Sequence, residues 1–126
     1  MSRHFVLTDE ELTCHGHILH RIKATRDLPQ HSVLAGDLGG WVESEDNLAD
    51  TAWVSGKARV FDNARVYDDA WVYGNARVFD DAQVSGRARV FDNAWIYGDA
   101  LARSSVRVYG KARVHGGVQV FGDVQA

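Results

Sequence analysis

Ala52-Trp-Val-Ser-Gly-Lys-Ala58-Arg-Val-Phe-Asp-Asn-Ala64-Arg-Val-Tyr-Asp-Asp-Ala70-Trp-Val-Tyr-Gly-Asn-Ala76 decides the fold. Every sixth residue is alanine, and two places after each alanine stands valine. The slot runs on through Ala82, Ala88, Ala94, Ala100, Val106, Ala112, Val118 and Val124, all alanine or valine. The second slot runs from Val54 to Val120, β-branched throughout except at Ala102. A third slot, from Gly56 to Gly122, is glycine or aspartate except at Ser104.

A fixed short period is the signature of a solenoid. In Ala-x-Val the two apolar side chains share one face of an extended strand. Glycine or aspartate, followed by Lys57, Asn63, Asp69 or Asn75, supplies turn chemistry. The unit is therefore a very short strand and a corner. Three corners close a triangle, so one coil takes eighteen residues, and residues 52–126 give about four coils. At a strand spacing of about 4.8 Å the stack is on the order of 20 Å tall. At Ala102 and Val106 the large and small slots are exchanged, a swap that keeps interior volume.

The aliphatic residue with a small residue four places on, as in Val54-Ser-Gly-Lys-Ala58, resembles the hexapeptide repeat of left-handed β-helix proteins. The segment Ala35-Gly-Asp-Leu-Gly-Gly-Trp-Val-Glu-Ser-Glu-Asp-Asn-Leu48, with the repeats after it, is similar to YdcK-type bacterial and prophage proteins. The resemblance implies an all-β chain: a single-stranded, left-handed parallel β-helix over residues 41–126, preceded by a small N-terminal β cap over residues 1–40. The left hand comes from the resemblance alone, since general crossover rules favour the right.

Within the cap, Phe5-Val-Leu7 and Ile18 to Ile22 read as two strands joined through Thr8–Glu11 and beyond. A solenoid end needs such a cover. Asp37-Leu-Gly-Gly40 turns the chain into the first coil; its glycines match neither dinucleotide nor P-loop spacing. Cys14, His15, His17 and His20 are the densest group of metal-ligand types, with His15 and His17 on one strand face. They supply at most three convergent ligands where zinc needs about four, so the reading is no metal and no cofactor.

Of the 126 residues 45% are hydrophobic and 25% charged, which suits one globular domain. No apolar run approaches a membrane span, and the N-terminal segment carries no signal-peptide core. One cysteine is compatible with a reducing compartment, so the expected location is the cytoplasm. Residues 1–52 carry nine acids and four bases, a net of −5; residues 53–126 carry eight acids and ten bases, a net of +2.

Residues eighteen apart stack, so the outer faces can be written down. One is Trp41, Arg59, Arg77, Trp95, Arg113. The second is Trp53, Trp71, Arg89, Arg107, Gln125. The third is Asn47, Arg65, Gln83, Leu101, Gln119. The corners form ladders: Phe61, Phe79, Tyr97, His115; Tyr73, Phe91, Tyr109; and Tyr67, Ser85, Arg103, Phe121. Tryptophan and arginine stabilise one another across strands, and they are also the residues most enriched in binding hot spots. The nine tryptophans and arginines from Trp41 to Arg113 on the first two faces are thus the candidate binding residues.

The expected function is a non-catalytic interaction protein. Its partners are another copy, as dimer or trimer, and a second protein. Given the resemblance to prophage proteins, one version is a phage-encoded factor that blocks a host defence component. Single-stranded nucleic acid or a nucleotide is the weaker partner, because Asp62, Asp68, Asp69, Asp80 and Asp81 oppose a polyanion. The first alternative is a hexapeptide-type acyltransferase using acetyl-coenzyme A, with His115 as candidate base. No insertion interrupts the repeats to build its cleft, so the reading leans away from an enzyme. The second alternative is a structural phage or polymer-forming protein.

Overall fold

A computed structural model describes residues 3–120 and 123–125; Phe121 and Gly122, the last members of two of the columns above, lie outside them. The described chain is a parallel β-solenoid of about four coils, all-β and without an α-helix. Each hexad contributes a two-residue strand, and one hexad in three joins the same sheet. Trp53 pairs with Trp71, Trp71 with Arg89 and Arg89 with Arg107. Trp41 pairs with Arg59, and the column continues through Arg77 and Trp95 to Arg113. Arg65, Gln83, Leu101 and Gln119 form the third sheet.

The physical cause of each slot is visible. Alanines from Ala52 to Ala100 and valines from Val54 to Val108 are fully or almost fully buried, and line a continuous core. Burying one such valine contributes roughly 1.5–3 kcal/mol. The exchanged pair stays inside too, with Ala102 and Val106 both buried. The glycine-or-aspartate slot is a backbone requirement. From Gly56 to Gly116 every residue in it, Ser104 included, has φ between 58° and 68°. That left-handed region is free to glycine and tolerated by aspartate. Aspartate adds a bond between coils: the carboxylates of Asp50, Asp68, Asp80 and Asp92 each accept the backbone N–H of the slot residue one coil further on, at 3.0–3.1 Å.

One column departs from the eighteen-residue rule. Tyr109, not Arg107, pairs with Gln125, and Val108 pairs with Val124. The last coil is two residues short. Asp123 holds it there, accepting both the backbone N–H of Arg107 at 3.1 Å and its guanidinium at 2.9 Å.

The cap differs from expectation in two ways. First, its strands are longer: β1 (Phe5–Cys14) and β2 (His17–Ala24) form an antiparallel hairpin. Thr8–Glu11 belongs to β1, at a register irregularity. The turn is His15-Gly16, both at positive φ, the geometry a two-residue hairpin loop demands. His15 and His17 therefore do not share a strand face. Second, β3 (Leu38–Val42) crosses the expected boundary at residue 40. It pairs antiparallel with β2 and parallel with Arg59–Val60, so the cap is a continuation of the first sheet. Gly39 and Gly40 mark a close approach. A Cβ on Gly39 would lie 2.5 Å from the Val54 carbonyl, and one on Gly40 2.7 Å from that of Ala58.

Candidate interaction surface

The cap does more than close the end; it reaches down the outside of two faces. On the first face the hairpin tip lies over the Phe61–Phe79 ladder. The His15 ring stacks 6.0 Å from Phe61 and 6.3 Å from Phe79. Cys14 and Leu19 bury Phe61 completely, with Trp41 and Phe79 packed at the margin. Arg59 Nη1 lies 3.2 Å from Cys14 Sγ, and Arg77 Nη1 lies 3.1 Å from His15 Nε2. His17 fastens the tip. Its Nδ1 donates to Glu43 at 2.9 Å and its Nε2 lies 3.0 Å from Asp62 Oδ1. Glu43 is aimed by its other oxygen, which accepts the Asp62 backbone N–H at 2.8 Å. The Glu43 hydrogen bond raises the His17 pKa above the usual histidine range.

On the second face the fastening is made by His4 and by Gln30 and His31. Trp53, expected on the surface, is 1% exposed. The His4 ring lies 6.2 Å from it, and His4 Nε2 donates to the Ala52 carbonyl at 2.8 Å. A 3₁₀ turn at Pro29–His31 sets the His31 ring 5.4 Å from Trp71. His31 Nε2 donates to the Thr51 carbonyl at 2.9 Å. Burial holds both His4 and His31 below the usual histidine range. Trp71 is half-buried, and its indole N–H donates to Ser55.

The cap thins out over the lower coils, its last contacts being the His15 ring edge-on to Trp95 at 6.5 Å and Gln30 and His31 beside Arg89. Trp95 lies between two guanidinium groups of its own column, Arg77 at 5.2 Å and Arg113 at 4.4 Å. Arg113 also donates to the backbone carbonyls of Asn93, Lys111 and Ala112. Arg89 lies 5.7 Å from the Trp71 ring, and Arg107 pairs with Asp123. The corner ladders continue past the cap, with near-parallel rings at 5.0–5.2 Å from Phe79 through Tyr97 to His115 and from Tyr73 through Phe91 to Tyr109.

A match to the family described as "YdcK Beta solenoid repeat" runs over residues 58–74, 70–84 and 82–98. Those are the coils whose columns have just been traced. Over these residues the chain carries YdcK-type β-solenoid repeats. No curated protein matches it.

Along these repeats and their flanks the nine expected binding residues split by environment. Trp53 is withdrawn from the surface. Trp41, Arg59, Arg77 and Trp71 are engaged by the cap. Trp95 meets only the edge of the His15 ring, at 6.5 Å, and Arg89 borders Gln30 and His31; among the described residues no cap contact is seen at Arg107 or Arg113. The four presumed metal-ligand types do not converge: Cys14 is buried against Leu19, His15 stacks outward, and His17 turns to two carboxylates. The His17–Glu43–Asp62 group and the His31 contact were invisible to hexad arithmetic, because cap residues carry no period. The one signal was Gly39-Gly40, whose lack of side chains marks where cap and first coil meet.

Proposed function

We propose that this solenoid is a non-catalytic binding module that takes a second polypeptide on its lower coils. The docking residues are Trp95 and Arg113 on one face and Arg107 on the next, with Tyr97 and Tyr109 at the corners. The observation that carries this reading is the cap itself. A segment of polypeptide already docks on the upper stretch of these columns, stacking His15 on Phe61 and Phe79 and setting the His31 ring at a tilt against Trp71. The cap ends at Trp95, which the His15 ring meets edge-on at 6.5 Å, and the same kinds of aromatic and guanidinium groups recur beyond it at Tyr97, Arg107, Tyr109 and Arg113. Desolvated tryptophan and arginine are the usual anchors of protein interfaces. Acyl transfer draws no support from His115, which is exposed at the end of a ring stack 5.2 Å from Tyr97. A phage-encoded inhibitor of a host component is a finer version that rests on the resemblance to prophage proteins alone.

The test compares wild type with a Trp95→Ala/Arg113→Glu variant. Mass in solution separates self-association from capture of another protein. The expected outcome is a defined complex, with either partner, that the double variant loses while its circular dichroism is unchanged. Equal recovery of complex by both proteins would remove these columns from the interface.

A further inference from the structure

Where residues 29–31 meet the second face, Gln30, His31, Asp69, Arg87 and Arg89 line a recess of about 250 Å³. Its size is below the roughly 300–1,000 Å³ of a drug-sized ligand site, so it suits one small group. Arg87 and Arg89 are both exposed and two residues apart. Neither forms an ion pair among the described residues. Two guanidinium groups lining one recess call for an oxyanion.

The opposite wall limits which oxyanion. Asp69 Oδ1 accepts from Gln30 Nε2 at 3.1 Å and from the Thr51 hydroxyl, while no hydrogen bond reaches Oδ2 among the described residues. Those two bonds, Thr51 first, hold the Asp69 carboxyl below the usual carboxylate range, so it is ionised. His31 is 5% exposed, and its Nε2 must donate to the Thr51 carbonyl. With burial keeping the ring neutral, Nδ1 is an acceptor, and it is buried with no partner. Such an orphaned group asks for a donor. The recess therefore sets two cations beside one carboxylate oxygen, Asp69 Oδ2, that has no donor among the described residues, with the buried His31 ring behind its wall. Sulfate or a carboxylate would meet the guanidinium groups but bring its lone pairs against Asp69. A phosphate ester, whose second pKa is about 6, carries an O–H part of the time near neutrality, and free phosphate does likewise.

We infer that this recess binds a phosphate monoester or free hydrogen phosphate, with Arg87 and Arg89 on its oxygens and Asp69 accepting its O–H. It stands apart from the partner surface, so Trp95→Ala/Arg113→Glu leaves it intact.

Titration calorimetry at pH 7 with inorganic phosphate, O-phosphoserine and sulfate tests the assignment. Both phosphates saturate the protein, and sulfate binds at least about tenfold more weakly. Arg87→Ala and Arg89→Ala each lower phosphate affinity about tenfold or more. Asp69→Asn narrows the gap between phosphate and sulfate. Tighter binding of inorganic phosphate than of phosphoserine makes the free ion the ligand; the reverse order makes it an esterified group. Arg87→Ala is the decisive variant, because Arg89 also stacks on Trp71 and its loss could loosen the face. Sulfate binding as well as phosphate, no saturation by any of the three at millimolar concentration, or full affinity in Arg87→Ala would each overturn the assignment.

Discussion

Trp53 and Trp95 occupy the same slot of the hexad, directly after an alanine, and both point out of the tube. Yet Trp53 is 1% exposed, while Trp95 is half-buried between Arg77 and Arg113. The repeat sets the direction of a side chain. Whether the outside stays wet is decided by a non-repeating segment. The upper coils are thus a two-layer structure, tube plus cap, and the lower coils are a tube alone.

The largest expected contrast lies in that pair. Trp53→Ala empties a closed site and should cost about 3–5 kcal/mol. Trp95→Ala removes exposed stacking worth about 0.5–1 kcal/mol. Urea unfolding measures both, and equal losses would mean that the cap does not seal the second face. A smaller contrast comes from glycine. Gly39→Ala drives a methyl against the Val54 carbonyl and the Trp53 ring, a clash of about 1–3 kcal/mol. At Gly117 a Cβ meets nothing within 4 Å, so Gly117→Ala should leave the midpoint unchanged.

Smaller again is the slot that the two halves share. Asp80 has φ 59° and its carboxylate accepts the Gly98 N–H at 3.0 Å. Asp80→Ala should cost about 1–2 kcal/mol, mostly left-handed strain. Asp80→Gly should recover most of that loss. A similar loss in both variants would assign the effect to the carboxylate bond instead of the backbone.

That slot explains how much was legible beforehand. Ala-x-Val and the glycine-or-aspartate column are local demands, inward packing and positive φ, and local demands repeat. They gave the tube, its three faces and its corner ladders. The short last coil escaped because Asp123 bonds Arg107 across coils, which no spacing rule encodes. The turn at His15-Gly16 escaped because histidine is an uncommon residue at positive φ. The site was least legible. Trp53 reads as surface until His4 and Gly39 are brought against it. Arg87 reads as one more turn cation until Gln30, His31 and Asp69 are brought beside it.

The two fastenings of the cap should respond to acid in opposite senses, which sharpens the comparison at its finest scale. His17 has its pKa raised by Glu43 and Asp62. Its contribution is complete below about 6.5, the ordinary histidine value, and fades as pH rises through the higher folded value. His4 and His31 are held low by burial. Their contribution is present above about 6.5 and fades as pH falls through their lower folded values. Between pH 7.5 and 5.5, then, the amide protection factor, which removes the pH dependence of intrinsic exchange, should rise at the hairpin tip and fall over residues 28–33. His17→Gln should abolish the first change and spare the second. If both segments moved together, the cap would open as one unit, and the two faces would not be separately fastened.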